Sequence, residues 1–238
     1  VLVRGFPAAA FDTNCWVVAP AAGEECIVID PGIGVEDRLD EVLREDNLRP
    51  VAVLLTHGHL DHTFSVTPVC GAKGIPAWIH PADRELLADP MKGLSAQSRT
   101  MFGGRLEWTE PDDVALLDPA APLELAGLRF AVDFAPGHTP GSVVFRTPGV
   151  DVGGEAAPPV MFSGDVLFQG SIGRTDLPGG SWEQMQQSLA RVVLGAPDET
   201  VVYCGHGAST TIGRERVANP FLQDLAGLDE TAPPTRGL

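Results

Sequence analysis

Three of the six histidines in this 238-residue chain fall within six positions, in the run Thr56-His57-Gly58-His59-Leu60-Asp61-His62. Imidazole nitrogens and carboxylate oxygens are the donors that divalent first-row metals accept. His57 and His59 stand two apart, so an extended segment projects both to the same side. A turn into a helix after His59 would swing Asp61 and His62 toward a neighbouring point. Gly58 is expected to leave room for an ion to approach the backbone. A lone histidine behind a strand is ordinarily part of a solvated loop. Four potential ligands in six residues are better explained by a bound metal.

The remaining donors repeat one arrangement. His138 lies in Ala135-Pro136-Gly137-His138-Thr139-Pro140-Gly141, Asp165 in Phe162-Ser163-Gly164-Asp165, and His206 in Tyr203-Cys204-Gly205-His206-Gly207. Each follows a short apolar run and a glycine. One such pair alone is an ordinary turn; the recurrence points to several strand ends delivering donors to one rim of a sheet. His80, before Pro81, is expected to cap a helix or lie on the surface.

The elements that must position these donors read as strands at Asn14–Ala19, Cys26–Asp30, Val51–Thr56, Pro76–Ile79, Leu128–Ala135, Ser142–Arg146, Pro159–Ser163 and Thr200–Cys204. Val51–Thr56 is continuously apolar, the pattern of a strand buried on both faces. Glu36–Glu45 reads as a helix with Leu39, Val42 and Leu43 on one face. Trp182–Leu194 reads as another, with Ser181 as its N-cap and Gly195 just past its end. Ala82–Arg105 holds two possible short helices and is expected to form part of a substrate wall. Asp151–Pro158 reads as a surface turn, and residues from Thr231 onward as a fraying tail. Strands outnumber helices and alternate with them irregularly, which predicts a layered α/β domain over residues 1–238 rather than a doubly wound parallel sheet.

Composition narrows the partners. Hydrophobic residues make up 44% and charged ones 20%, ordinary globular usage that excludes a disordered chain, a coiled coil and a collagen-like fibre. The 32 acidic residues against 16 basic ones give a net charge of −16, which repels nucleic acid unless the few cations gather in one patch. No apolar run approaches the ~20 residues that span a bilayer, and Val1–Ala10 lacks the apolar core of a secretory signal. No membrane and no nucleic-acid partner is expected. The four cysteines form no C-x-x-C pair. Cys15, Cys26 and Cys204 sit in apolar strand-like runs, and a cytoplasmic location is expected.

The run His57-x-His59-x-Asp61-His62, followed in order by His138, Asp165 and His206, resembles the motifs of the metallo-β-lactamase superfamily and spans most of the chain. The resemblance implies an α/β fold of the four-layer αββα sandwich type with two divalent metal ions at one edge. Carried over by position, His57, His59 and His138 would hold the first ion and Asp61, His62 and His206 the second, with Asp165 bridging. Asp61 and Asp165 would be the catalytic carboxylates. Zinc is expected, and the mixed N/O donors also accept iron or manganese. Such a pair, about 3.5–4 Å apart, shares a bridging hydroxide that is nucleophilic at neutral pH. No Ser or Cys nucleophile is then needed, despite Ser163 and Cys204 nearby.

Within that superfamily, His59 disfavours the flavodiiron oxygen reductases, which carry an acidic residue there. The 32 residues after His206 are expected to leave no room for the nuclease branch's inserted domain or the C-terminal helical domain of larger glyoxalase II enzymes. The stretches Gly164–Gly180 and Thr210–Arg216, followed by Asn219-Pro220-Phe221, look like compact bacterial glyoxalase II-like hydrolases. That resemblance implies a small-molecule thioester substrate such as S-D-lactoylglutathione. Arg174 would bind it, since a guanidinium suits a carboxylate; the alternative is a surface Arg paired with Asp176. A second branch, the persulfide dioxygenases, shares a Gly-Arg-Thr-Asp run and would hold one iron through His57, His138 and Asp165.

Overall fold

A computed structural model describes residues 1–101, 106–149 and 157–230. Two six-stranded sheets form its centre. The first orders β1 (Leu2–Pro7), β2 (Asn14–Ala19), β3 (Glu25–Ile29), β4 (Arg49–Leu54), β5 (Ala77–Ile79) and β6 (Val114–Leu116) from edge to edge. The second orders β12 (Thr210–Thr211), β11 (Val201–Cys204), β10 (Val160–Gly164), β9 (Val143–Thr147), β8 (Leu128–Phe134) and β7 (Leu123–Leu125).

The period-two alternation of each strand sends its side chains into two different cores. From β2 and β3, Trp16, Val18, Ile27 and Ile29 face the second sheet's Phe130, Val132, Phe145 and Phe162. Their neighbours Cys15, Val17, Cys26 and Val28 face outward, onto Leu39, Val42 and Leu43 of α1 (Glu36–Glu45) and Val66, Val69 and Cys70 of α3 (Val66–Lys73). On the far side, Val144, Met161, Val202 and Cys204 pack under Met185 of α6 (Trp182–Ser188), Ile212 of α7 (Ile212–Ala218) and Leu222 of α8 (Pro220–Glu230). Three apolar cores between four layers make the αββα sandwich. Strands covered on both faces are apolar at nearly every position: all six residues of β2 are buried, and Asn14 is its one polar side chain.

Several expected elements have shifted bounds. β4 begins at Arg49, whose amide donates to Glu24 O at 3.1 Å. Opposite Cys26 and Ile27 the register skips Val51 of β4, directly after Pro50, which has no N–H to give the ladder. The helix at Trp182 is capped by Ser181 Oγ, which accepts from Gln184 N at 3.3 Å, and it widens into a π-turn over Leu189–Val193. The segment after His80 folds as two 3₁₀ turns, Pro81–Asp83 and Pro90–Gly93, alternating with α4 (Arg84–Ala88) and α5 (Ala96–Met101). His80 caps the first turn, its Nδ1 accepting from Ala82 N at 3.2 Å. Residues 102–105 of that stretch, the expected turn at 151–158 apart from its last two residues, and the expected tail from Thr231 lie outside the described residues.

The two sheets are stitched together at one edge. Val143 N donates to Thr56 O at 2.8 Å, Asn14 N to Gly205 O at 2.7 Å, and Trp16 Nε1 to Cys204 O at 3.1 Å. β3, β4, β10 and β11 all end there, and the donor-bearing turns follow the ends of β4, β8, β10 and β11.

Candidate metal centre

The seven donors singled out in the sequence converge on that edge. The short helix α2 (Leu60–Thr63) starts directly after His59, whose extended backbone serves as its N-cap. This bend carries Asp61 and His62 around toward His57 and His59. Their ligand atoms fall into three groups within 4.8 Å: His57 with His59 and His138, His57 with His62 and Asp165, and Asp61 with His62 and His206. Asp165 stands between the sets, its Oδ1 3.2 Å from His62 Nε2 and its Oδ2 3.4 Å from His138 Nε2 and 3.6 Å from His206 Nε2. Asp61 Oδ2 is 3.2 Å from His206 Nε2.

Four of the five imidazoles are oriented from behind. Nδ1 of His57 meets Thr56 Oγ1 at 3.1 Å, that of His62 meets Asp30 Oδ2 at 2.9 Å, that of His138 meets the Arg174 carbonyl at 2.7 Å, and that of His206 meets the Phe11 carbonyl at 3.1 Å. These contacts leave Nε2 turned inward on four rings. His59 is the exception, with Nδ1 inward, 2.8 Å from His138 Nε2. Outer partners of this kind fix the tautomer and orientation of metal-bound histidine. Asp61 is steadied by Thr13 Oγ1, which donates to its Oδ2 at 3.2 Å.

The cluster fits a pair of cations. His57 Nε2, His62 Nε2 and Asp165 Oδ1 are buried polar atoms with no hydrogen-bond partner, a state that is costly unless something else satisfies them. Electrostatics agree. Burial, reinforced by the neighbouring imidazoles, pushes His57 well below its ordinary pKa and His59 down to about 3, so both stay neutral ligands. Burial would also lower His62, but Asp165, Asp61 and Asp30 outweigh it and drive its pKa up. Burial would raise Asp61 and Asp165, but the surrounding histidines hold both carboxyls below their ordinary range. The His/Asp set therefore fits a dinuclear metal centre, with Asp165 facing both halves.

Three residues of the site were not singled out in the sequence. Asp30 is almost fully buried, sits at a left-handed φ of 51° directly before Pro31, and accepts from Thr56 N at 2.8 Å and Thr56 Oγ1 at 2.6 Å as well as facing His62. It ends a strand with a carboxylate, as Asp165 does, but nothing in the sequence ties position 30 to position 62. Asp83 is fully buried and accepts from Gly58 N, Thr139 Oγ1 and Gly141 N at 2.8, 2.6 and 2.6 Å, bracing the His57–His59 turn against the His138 turn. Phe11 supplies the carbonyl that holds His206 and has a φ of 63°, a strained conformation for a bulky residue. Gly58 has a different role from the one expected: a Cβ there would lie 2.6 Å from Leu86 Cβ, so the glycine makes room for α4, not for an ion.

A cavity of about 540 Å³ opens over the donors. Phe11, Leu60, Leu94, Phe168, Ile172 and Leu177 give it apolar walls, and Leu94 comes from the stretch expected to form a substrate wall. Arg174 lines the rim, but its guanidinium is bound to Asp176 through Nε and Nη2, both at 2.7 Å. The two side chains are 61% and 67% exposed. Ser163 and Cys204 are fully buried. The hydroxyl of Ser163 donates to Leu167 O at 2.8 Å, and burial pushes the Cys204 thiol up to about 12.

Comparison with known proteins places this architecture. A protein of Mycobacterium tuberculosis is 43% identical over 95% of this chain and all of its own length. The hydroxyacylglutathione hydrolase GloC of Haemophilus influenzae is 33% identical over 91% of this chain and 95% of its own. Among solved structures, the BLEG-1 B3 metallo-beta-lactamase matches with a TM-score of 0.76 at 35% identity, covering 93% of this chain and 99% of its own. TTHA1623 in a di-iron-bound form matches with 0.71 at 35% identity, covering 92% and 100%. The family model described as the metallo-beta-lactamase superfamily matches residues 8–206, the span that holds all seven donors, and the chain belongs to that superfamily.

Proposed function

We propose that this protein hydrolyses a small-molecule thioester of the hydroxyacyl type, S-D-lactoylglutathione or the equivalent ester of another low-molecular-weight thiol, with two zinc ions as its cofactors. The observation that carries the reading is the complete double donor set around Asp165, at the floor of a cavity with apolar walls. His57, His59 and His138 would hold one ion, and Asp61, His62 and His206 the other. Two divalent ions there supply Lewis acidity and bring a water's pKa close to neutrality, so a carbonyl can be attacked without a side-chain nucleophile.

The chain's own groups do the rest. Asp61 and Asp165, kept ionised by the imidazoles around them, are the carboxylates that would hold the ions and balance their charge at the cavity floor. The apolar walls exclude water from the reacting carbonyl, and Arg174 at the rim would meet a carboxylate of the thiol carrier once released from Asp176. Similarity to GloC over nearly the whole chain supports the thioester assignment. All four cysteines are buried and unpaired, which fits the reducing cytoplasm. Among the described residues, no helix is long and apolar enough to cross a membrane.

The second reading, a mononuclear iron persulfide dioxygenase, would use His57, His138 and Asp165; His138 Nε2 lies 3.4 Å from Asp165 Oδ2, and His57 shares one donor group with each. The intact second group, Asp61, His62 and His206, favours the dinuclear hydrolase. The test is to count metals in the purified protein and to assay lactoylglutathione hydrolysis beside oxygen uptake with glutathione persulfide. Two ions with thioester turnover are expected; one iron with oxygen consumption would overturn the proposal. A β-lactam assay on the same preparation separates thioester hydrolysis from the activity named for BLEG-1.

A further inference from the structure

The segment Thr210–Arg216 with Asn219-Pro220-Phe221 contributes no ligand to the metal centre, yet it holds a buried carboxylate. Glu215, on α7, is 1% exposed. Its Oε1 accepts from Thr210 Oγ1 at 2.6 Å, and its Oε2 accepts from Gly170 N at 2.7 Å and from Asn219 Nδ2 at 3.0 Å. Among the described residues, no cation pairs with it. A carboxylate taken out of water and satisfied only by neutral donors is an expensive way to fill space. The arrangement is explained by what the donors belong to.

Gly170 is the tip of a tight turn in which Phe168 N donates to Ser171 O at 3.0 Å. Its φ is +71°, and a Cβ there would meet no atom within 4 Å, so the glycine serves backbone conformation and not packing. Asn219, fully buried, donates from the same Nδ2 to Ser171 O at 3.0 Å. Two side chains of the α7 region thus grip the turn at its tip and at the residue after it, across 45 and 48 residues of sequence. The gripped turn is a wall of the cavity: Phe168, Ser171 and Ile172 line it, and the Phe168 ring stands edge-on to His206, centroids 5.9 Å apart.

We infer that Glu215 and Asn219 are positioning residues that fix the Phe168–Ile172 turn as the wall against which the non-reacting part of the substrate binds. They set substrate affinity from outside the metal centre. The inference rests on the cavity being the thioester site, as proposed above. The turn's backbone is anchored to α7 and its side chains face the cavity, so loosening the anchor blurs the wall while leaving the seven donors on their own strand ends. Glu215→Ala removes both acceptor oxygens and leaves Gly170 N without its partner, whereas Glu215→Gln would keep all three contacts, because the Thr210 hydroxyl can rotate to accept from the amide.

The test compares the metal-loaded wild type with Glu215→Ala and with Gly170→Ala, which strains the turn at its left-handed tip and leaves Glu215 in place. The expected result is a KM for lactoylglutathione raised about tenfold with kcat changed less than about twofold, the pattern of lost ground-state binding, and with metal content unchanged. Hydrogen exchange across residues 166–174 should rise in both variants while exchange across 55–63 stays at wild-type rates. Unchanged exchange in the turn overturns the inference, as does unchanged KM, or a fall in kcat that follows loss of metal. If the wild type leaves lactoylglutathione intact, the proposed function fails by itself. The grip on the turn is then judged by exchange alone: faster exchange in both variants sustains it, and wild-type exchange rejects it.

Discussion

Asp30 Oδ2 lies 2.9 Å from His62 Nδ1 and also accepts from Thr56 Oγ1 at 2.6 Å, so one buried carboxylate fixes a donor imidazole and the last residue of the strand run before His57. The carboxylate requires a proton on Nδ1 of His62, which leaves Nε2 free to bind a cation. In Asp30→Asn, the amide oxygen can still accept from Thr56 N, and the amide nitrogen then faces His62. That favours the opposite tautomer, with Nε2 protonated. The expected outcome is a loss of affinity for the ion held by Asp61, His62 and His206 of about 10–100-fold, with the ion at His57, His59 and His138 better retained. Competition with a chelator, followed by metal counting, reads this directly; equal loss of both ions would show that Asp30 supports the fold of the edge and not one ligand.

Asp165 makes the contrasting prediction. Its two oxygens face His62 on one side and His138 and His206 on the other, whereas Asp61 approaches only His62 and His206. Asp165→Ala should lower occupancy of both metals. Asp61→Ala should empty one and spare the other. Full metal retention in Asp165→Ala would refute the bridge.

These relationships mark the boundary of what could be read from the chain alone. The strand ends were legible because runs such as Val51–Thr56 are apolar at every position and stop at a glycine or a charged residue. Seven donors standing behind such ends could be placed on one rim without coordinates. The strands β6, β7 and β12 were not legible: they have two or three residues each, too short for alternation to register. β1 carries Arg4, Gly5 and Pro7, which break the apolar alternation of a strand. Asp30, Asp83 and Glu215 were missed for a different reason. Their roles lie in partners 25 or more positions away, and a single acidic residue carries no signal of its partner.

Arg174 and Asp176 give a prediction about affinity. The Arg174 hydrogen bond holds the Asp176 carboxyl at about 2. The folded value is below the ordinary one, so the pair is fully formed above the ordinary carboxylate range and is lost only as pH falls through about 2. It does not titrate at neutral pH. Both side chains are exposed, so their attraction is weak and screened by salt. Asp176→Ala should therefore free the guanidinium and lower KM for an anionic thioester, Arg174→Ala should raise it, and both effects should be constant across neutral pH and shrink with added salt. A KM that ignores both substitutions would make Arg174 a surface residue whose only part in the site is its carbonyl on His138.

The cysteines should be silent. Burial pushes the thiols of Cys26, Cys70 and Cys204 up to about 12 and raises that of Cys15 as well. The thiolate is the reactive form, and a folded value that high leaves almost none of it at mildly alkaline pH. The native protein should show no fast reaction with a thiol reagent, and all four cysteines should react after denaturation. Rapid labelling of Cys204 in the native state would mean that the strand beneath His206 opens.

Asp83 carries the last prediction, on stability. Its Oδ2 accepts from Gly58 N and Thr139 Oγ1 and its Oδ1 from Gly141 N, which joins the turn between His57 and His59 to the turn that follows His138. Asp83→Asn supplies one acceptor oxygen and one donor nitrogen in the same volume. The Thr139 hydroxyl can rotate to accept, but a backbone N–H cannot. Whichever way the amide is turned, one buried N–H, of Gly58 or of Gly141, loses its acceptor. The cost of such a group is about 1–3 kcal/mol, which should lower Tm by several degrees in a domain of this length. Because the two turns carry His57, His59 and His138, the same substitution should weaken the first ion more than the second. Thermal melts with and without chelator distinguish the two effects. A wild-type Tm in the metal-free variant would show that the three contacts contribute nothing to folding, and equal weakening of both ions would show that Asp83 steadies the whole edge.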